Sequence, residues 1–202
     1  MTPPRIAFSR DELLEAAFQL VREEGMGKFS ARNVAERMKC SVAPVYRVYS
    51  SMLEFKHDVL VRIHILLQEY THKPFTDLTF LNIGVGMVVF ARDETHLFQA
   101  LFLDKHNFTD ILTDFRASVL SRMEATPSLN SLSRSTLENL LNRLWLFTLG
   151  LASTVIYTPN EDISNERIIR ELKQAGFIFS YVEYFTLERM MENAVAYLDG
   201  KI

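Results

Sequence analysis

The chain has 202 residues, a net charge of −3 and a hydrophobic fraction of 48%. This length fits one large domain or a small module joined to a larger one, and the hydrophobic content argues against a disordered chain. Seven glycines and six prolines are few for an all-β protein, and the one cysteine, Cys40, excludes an internal disulfide. We therefore expect a helical protein of a reducing compartment.

Neither a secretion signal nor a membrane span is expected. Prolines and arginines interrupt the first ten residues, which lack the apolar core of a signal peptide. The longest uncharged apolar run, residues 144–157, is shorter than the roughly 20 residues of a membrane-spanning helix. We expect a buried helix there, and a cytoplasmic protein with no membrane partner.

Capping residues divide the start of the chain into helices. Ser9 and Glu12 form a capping box, and Gly25 is expected to end this first helix. Ser30 is expected to cap the second helix. The periodic apolar positions predicted to face the core are Leu13, Ala17, Leu20, Val21, Val34, Ala35 and Met38.

The third and fourth helices follow with similar signals. Ser41 is expected to cap the third helix by accepting a hydrogen bond from the Ala43 N–H, because Pro44 in the first turn has no N–H to donate. Ser51 and Glu54 form a second capping box, which opens a long fourth helix from residue 52 to about residue 69. The predicted buried positions of this helix are Leu53, Leu60, Ile63 and Leu67.

The remaining sequence also has helical periodicity. It predicts helices over residues 77–92, 96–105, 108–124, 133–157, 164–176 and 182–198. The expected fold is therefore all-α, with an N-terminal three-helix head over residues 1–50 and a larger helical bundle over residues 51–202. The unbroken fourth helix, rather than a flexible linker, is expected to join the two.

The spacing of residues 29–49 is typical of a helix-turn-helix, whose second helix enters the DNA major groove. Ala35 is small where the two helices must cross, and Val45 returns to the core. Lys39 lies at the turn, where a left-handed backbone favours glycine and costs another residue roughly 1 kcal/mol. This cost is tolerable if the lysine also contacts a phosphate.

Charge is unevenly distributed along the chain. Residues 28–56 contain six basic and two acidic side chains, a local charge of +4 that leaves −7 for the rest. A basic patch on an acidic protein is typical of a protein that contacts phosphates with one end. The residues expected to contact DNA are Ser30, Arg32, Lys39, Ser41, Val42, Ala43, Pro44, Tyr46, Arg47 and Lys56.

The outward face of the third helix is unusually apolar. Val42, Ala43 and Pro44 cannot hydrogen-bond to bases, so contact with thymine methyl groups and fit to the groove are expected. Arg47 is expected to bind guanine or a phosphate. The alternative is a three-helix bundle that binds no nucleic acid.

Residues 9–56 resemble the DNA-binding head of the tetracycline-repressor (TetR) family of bacterial regulators. The resemblance rests on Ala16, Ala17, Gly25, Phe29, Ser30, Val34, Ala35, Ser41, Val45, Tyr46, Arg47 and Tyr49. It implies an all-helical homodimer, two heads in successive major grooves, and a C-terminal domain that binds a small molecule. Two residues depart from the family pattern: Lys39 replaces the turn glycine, and Met52 replaces a lysine that contacts phosphate. Lys56 is expected to take over that contact.

The C-terminal two-thirds of the chain is less informative. Small and apolar residues in one helix resemble the family's dimerisation helix, although an ordinary core helix has the same composition; they are Trp145, Leu149, Gly150, Ala152, Ser153 and Ile156. A set of aromatic and methionine side chains is expected to line an apolar pocket, although such side chains also build plain cores; they are Phe80, Met87, Phe90, Phe98, Phe102, Phe115 and Phe147.

The sequence contains no phosphate-binding glycine loop, nucleophile elbow or paired histidines, so neither an enzyme nor a cofactor is expected. His96 with Asp93 and Glu94 is the nearest approach to a metal site, and a helix N-terminal cap is the preferred interpretation. The sequence thus predicts a bacterial, nucleoid-associated repressor with three partners: an operator, a second copy of itself, and a small, partly apolar ligand. The alternatives are a DNA-bound adaptor that acts through a protein partner and, less favoured, an all-α enzyme.

Overall fold

The structure is a computed structural model that describes residues 8–105, 109–127, 129–130, 132–158 and 163–184. These residues form helices, turns and loops, with no strand among them, so the predicted all-α fold class is confirmed. The helices are α1 (Arg10–Glu24), α2 (Ala31–Arg37), α3 (Ala43–Val48), α4 (Met52–Thr71), α5 (Thr79–Asp93), α6 (Thr95–Phe98), α7 (Thr109–Glu124), α8 (Arg134–Tyr157) and α9 (Asn165–Tyr184). A short 3₁₀ turn, Met26–Lys28, follows α1, and a π-helical turn, Gln99–Leu103, follows α6.

Two predicted helices differ from the structure in their form or extent. The helix expected over residues 96–105 is a single α turn followed by the π-helical turn. The helix expected to end at Gly176 continues to Tyr184, because one glycine costs a helix only about 1 kcal/mol and does not by itself end it. The last predicted helix, over residues 182–198, lies almost entirely outside the described residues.

Packing divides the chain into two compact units. The first comprises residues 1–70 and 90–115, and the second comprises residues 71–89 and 116–202. Most of α4 therefore belongs to the same unit as the first three helices, and the functional boundary expected near residue 50 stays a prediction. The divisions between the two units along the chain, at residues 70/71, 89/90 and 115/116, fall within α4, α5 and α7.

The core of the first unit contains most of the predicted positions. Leu13, Ala17, Leu20 and Val21 of α1 are at most 3% exposed, and each large apolar side chain buried in this way contributes about 1.5–3 kcal/mol. In α4, however, Leu53 is 59% exposed, against prediction. It lies in the first turn of the helix, where Phe55 is buried instead.

In the second unit, α5, α8 and α9 meet around Gly84. A Cβ at Gly84 would lie 3.5 Å from the Leu172 side chain and 3.7 Å from the Thr148 hydroxyl, at ordinary van der Waals distance, so both helices pack against this part of α5. Helices α8 and α9 also pack against each other. Among the described helices, α8 alone is long and apolar enough to cross a membrane, a criterion that core helices of soluble proteins also meet. Six of its residues are buried.

Candidate nucleic-acid interface

The turn between α2 and α3 has the geometry that the sequence predicts. Lys39 has a φ of +53°, the left-handed conformation. Its N–H donates to the Glu36 carbonyl at 3.0 Å, and the Cys40 N–H donates to the Ala35 carbonyl at 2.9 Å. These two bonds form the Schellman motif, which ends a helix and redirects the chain.

The helix pair is held together by small and apolar side chains. Ala35 in α2 is 2% exposed and Val45 in α3 is fully buried, as predicted. The hydroxyl of Ser30 accepts a hydrogen bond from the Asn33 N–H at 3.2 Å and so caps α2, which confirms the second predicted cap. Met38 and Val48 are only half-buried.

The beginning of α3 differs from prediction in two respects. The helix begins at Ala43, so Val42 rather than Ser41 occupies the capping position, and no side chain caps the helix. Pro44 is the second helical residue, where its missing N–H would have no helical partner. It is buried rather than outward-facing, so it leaves the set of predicted DNA contacts.

Most of the other predicted DNA contacts lie at the surface. Tyr46 is 59% exposed and Val42 is 41% exposed. Ser30, engaged as a cap, and Lys56 are half-buried. The remaining predicted contacts are exposed; they are Arg32, Lys39, Ser41, Ala43 and Arg47.

The basic residues of this region differ in whether their charge is neutralised within the chain. Arg37 donates to both carboxylate oxygens of Glu23 in α1, at 2.7 and 2.5 Å. Among the described residues, no carboxylate lies within ion-pair distance of five other bases; they are Lys28, Arg32, Lys39, Arg47 and Lys56. These five charges remain available to an anionic partner.

A network of charged and aromatic groups holds the end of α3 against α4. The Arg10 guanidinium lies 4.5 Å from the centre of the Tyr49 ring and donates to Asp58 at 2.8 Å. The Tyr49 hydroxyl donates to the same Asp58 oxygen at 3.2 Å, and its ring stacks on Phe55 at 4.0 Å. Burial and the neighbouring Asp58 raise the pKa of Tyr49 well above its usual value, so the hydroxyl keeps its proton.

The capping box predicted at α4 is split between two serines. The Ser51 hydroxyl accepts from the Glu54 N–H at 3.1 Å, as predicted. The Glu54 carboxylate accepts from the Ser50 N–H at 3.0 Å and from the Ser50 hydroxyl at 2.7 Å, instead of from the Ser51 backbone. The two hydrogen bonds from Ser50 to Glu54 therefore restrain the short connection between α3 and α4.

The seven predicted pocket residues are divided between the two units. Phe90, Phe98, Phe102 and Phe115 belong to the first unit, where the Phe98 and Phe102 rings are 4.7 Å apart. Phe80, Met87 and Phe147 belong to the second unit. The fully or nearly fully buried members, at most 2% exposed, are Met87, Phe90, Phe98 and Phe115.

A small cavity lies elsewhere in the second unit, between the end of α8 and the start of α9. Its volume is about 10 Å³, which is room for about one water molecule. Its lining, none of which was predicted, is Leu151, Thr154, Val155, Ile163, Arg167 and Ile168. The pocket prediction of the sequence stays a prediction.

The predicted dimer residues of α8 differ in exposure. Gly150 is exposed, whereas Ala152 is fully buried within the chain and so is unavailable to a partner. Trp145 is half-buried, with the Arg116 guanidinium 4.7 Å from its ring centre. The other three predicted residues, Leu149, Ser153 and Ile156, are half-buried.

Sequence reasoning missed a set of large apolar side chains that are 41–72% exposed on α8 and α9. We name this set the α8–α9 apolar surface; it comprises Leu146, Tyr157, Phe177, Ile178, Tyr181 and Val182. Spacings of three to five residues along α9 could have indicated one shared helix face. Which side of each helix is covered, however, depends on the packing of the unit.

Comparison of the sequence with protein-family models gave no match, and comparison with curated proteins gave none either.

Proposed function

We propose that the chain is a homodimeric, DNA-binding transcriptional regulator of the TetR type, a repressor that a small, partly apolar molecule releases from its operator. The observation that carries the DNA-binding part is the α2–α3 turn, with Lys39 in the left-handed conformation. Helix α3 leaves the turn with its outward side chains uncovered. An α-helix presented in this way fits the major groove of double-stranded DNA.

The exposed groups of α3 indicate how bases are read. Val42 and Ala43 offer apolar contacts that suit thymine methyl groups, and Tyr46 adds a large exposed ring. Arg47 is the outward side chain of this helix that can donate two parallel hydrogen bonds to guanine, or alternatively hold a phosphate. Specificity therefore rests on methyl groups, groove shape and one arginine.

Electrostatic attraction to phosphates supplies the part of the binding affinity that does not depend on the DNA sequence. The five bases without an internal carboxylate partner lie just before α2, in α2, at the turn, in α3 and near the start of α4. Each phosphate that they neutralise releases counterions, so binding should weaken steeply as salt rises. Arg37, already paired with Glu23, is expected to contribute little.

The homodimer is supported by the α8–α9 apolar surface. Six large apolar side chains exposed on two adjacent helices are a liability for a monomer and suit an isologous interface with a second copy. Two heads related by a two-fold axis would read two half-sites about one helical turn apart. The dimer would act in the bacterial cytoplasm, on the nucleoid.

Release from DNA is proposed to work through head spacing. A ligand that binds one arrangement of the dimer better than another shifts the population toward it, and an arrangement that cannot span both half-sites leaves the operator. Helix α4, which begins directly after the head and continues unbroken from Met52 to Thr71, supports this route. Equal DNA affinity in ligand-free and ligand-bound dimers would refute it.

The runner-up is a DNA-bound adaptor that works through a protein partner and has no small ligand. One observation favours it: four of the seven side chains proposed to line the pocket are at most 2% exposed. Native mass spectrometry of protein purified from its host would distinguish the two. A co-purified small molecule of constant mass supports the repressor, and a bound polypeptide supports the adaptor.

The DNA-binding proposal is tested by selection of duplex fragments that the purified protein retains at physiological salt, followed by sequencing. Arg47→Ala should lower affinity for the enriched sequence by about tenfold or more while the fold stays intact. Arg134→Ala is the control, because Arg134 is an exposed arginine of the second unit. Failure of the wild type to enrich any sequence would refute the proposal.

A further inference from the structure

The outward side of α3 presents apolar groups close together. The Tyr46 N–H donates to the Val42 carbonyl at 3.4 Å, so these two residues lie one helical turn apart and on the same side of the helix. Both side chains are exposed, and so is Ala43, which follows Val42 along the chain. We name Val42, Ala43 and Tyr46 the α3 apolar face.

Positive charge flanks the α3 apolar face. Arg47 follows Tyr46, is exposed, and lies four residues after Ala43, a spacing that makes the two side chains neighbours on a helix. Within the described part of the chain, no carboxylate lies at ion-pair distance from Arg47, nor from Lys39 before α3 or Lys56 after it. Apolar groups bordered by uncompensated cations suit a polyanion that carries apolar groups of its own, which is the chemistry of the DNA major groove.

The apolar groups that the major groove offers are the C5-methyl groups of pyrimidines. Thymine presents this methyl group beside O4, which accepts hydrogen bonds. 5-Methylcytosine presents the same methyl group at the same ring position, beside the N4 amine, which donates. At the pyrimidine itself, a protein distinguishes the two bases only with a group that donates to O4 or accepts from N4.

The exposed side chains around α3 do not include a group that makes this distinction. The helix contains neither a carboxylate, which would accept from N4, nor an amide. The hydroxyls of Ser41 and Tyr46 can donate or accept, so they suit either base. Arg47 only donates, and its commonest base partner is guanine, the base that pairs with cytosine. The face therefore suits a methyl group rather than one particular base.

We propose that the α3 apolar face binds the C5-methyl group of a pyrimidine whichever base carries it, so that 5-methylcytosine is accepted in place of thymine and methylation of an operator cytosine strengthens binding. This inference rests on the proposed function. It makes cytosine methylation of the operator a signal separate from the small ligand, because the methyl group is recognised at the reading helix.

The test uses duplexes that differ by one methyl group. Each thymine of the sequence that the full-length protein enriches is first replaced by deoxyuridine, which lacks only this group. At the position with the largest loss, four duplexes carry a thymine–adenine, uracil–adenine, cytosine–guanine or 5-methylcytosine–guanine pair. Affinities measured by fluorescence anisotropy should be about three- to fivefold higher with the methyl group in both kinds of pair, the effect expected of one buried methyl group.

Matched variants separate a methyl contact from a phosphate contact. V42A/Y46A truncates two exposed side chains, so the fold should stay intact, and both methyl ratios should fall below about 1.5. Lys56→Ala is the control, because loss of a phosphate contact should weaken all four duplexes in equal proportion and leave both ratios unchanged. If V42A/Y46A binds too weakly to measure, Val42→Thr keeps the side-chain shape, replaces one methyl group by a hydroxyl, and should lower both ratios.

The possible results separate this inference from the proposed function. Wild type that enriches no sequence refutes the function itself. Wild type that binds DNA but prefers thymine over uracil without preferring 5-methylcytosine over cytosine reads thymine alone, and this result would overturn the inference, as would no methyl effect in either pair. Ratios that persist in the Val42 variants would assign the effect to the shape of methylated DNA instead of a contact, and would also overturn it.

Discussion

Lys39 combines two properties that substitution can separate. Its left-handed backbone costs roughly 1 kcal/mol relative to glycine, and its ammonium group, exposed at the turn, is available to a phosphate. The residue therefore gives up some stability at the one turn where a positive charge is useful to the proposed function. A glycine there would satisfy the backbone alone.

We expect Lys39→Gly to raise the free energy of unfolding by about 0.5–1 kcal/mol, because the strain is relieved, and to weaken DNA binding. Lys39→Ala keeps the strain and removes the charge, so it should weaken binding without the gain in stability. Chemical denaturation and the salt dependence of binding measure the two effects. The logarithmic salt slope should fall by about 0.9 in both variants, and an unchanged slope would mean that Lys39 contacts no phosphate.

Ser30 caps a helix, whereas Ser41 only resembles a capping residue in the sequence. The Ser30 hydroxyl accepts a bond from the α2 backbone, whereas α3 has no side-chain cap. Ser30→Ala should therefore lower the free energy of unfolding by about 1 kcal/mol, and Ser41→Ala should change it by less than about 0.5 kcal/mol. Equal losses in thermal or chemical denaturation would contradict this assignment.

At the scale of elements, the start of α4 and the end of α3 act as one piece. Arg10 of α1 binds the carboxylates of Glu54 and Asp58 on α4, and Tyr49 at the end of α3 lies beneath its guanidinium. Ser50 bonds to Glu54 across the short connection. A movement of α4 would therefore carry α3 with it.

The caps of α1 and α4 also predict how stability depends on pH. The bonds from Ser9 hold the pKa of Glu12 below its usual value of 4.5, and those from Ser50, followed by that from Arg10, do so for Glu54. Between the folded and unfolded pKa values, the unfolded chain binds more protons. The stabilisation is thus complete above pH 4.5 and is lost as pH falls through the folded values.

We expect acid unfolding below pH 4.5 to be less steep in the double variant E12Q/E54Q than in wild type, because the variant has already lost the ionised caps. At pH 7 the variant should be the less stable protein. Urea denaturation across pH 3–7, followed by circular dichroism, measures both differences. If stability fell with pH in parallel in the variant and the wild type, these two carboxylates would not contribute to acid unfolding.

At the scale of the whole molecule, the α8–α9 apolar surface is the feature least expected of a monomeric protein. Phe177 is 72% exposed in a chain whose other aromatic side chains include several that are fully buried. The surface has four of its six residues within positions 177–182 of α9, which packs against α8. It therefore supports self-association more directly than the small residues that the sequence indicated.

Phe177→Lys should raise the dimer dissociation constant by about tenfold or more, because a charge would be buried in the interface. Leu78→Lys is the control, since Leu78 is also more than half exposed in the second unit but lies outside the surface. Sedimentation equilibrium measures both. Loss of self-association in both variants, or in neither, would contradict the assignment of the interface.

What could be predicted from the sequence was local. The capping box at Ser9, the cap at Ser30 and the left-handed turn at Lys39 depend on bonds between residues at most five positions apart. Periodicity likewise predicted the all-α class. The capping prediction was wrong at Ser41, because the helix begins one residue later than expected, at Ala43.

Only the tertiary structure decided the rest, because those features depend on which distant surfaces meet. Pro44 is buried and Leu53 is exposed according to packing that no short pattern records. The carboxylate of Glu94 binds Arg22, 72 residues away in the sequence, and makes no side-chain cap on α6, so the predicted cap was wrong. The sequence alone predicted which residues would contact DNA, whereas only the packed structure decided which of them are buried, because burial depends on which distant surfaces meet.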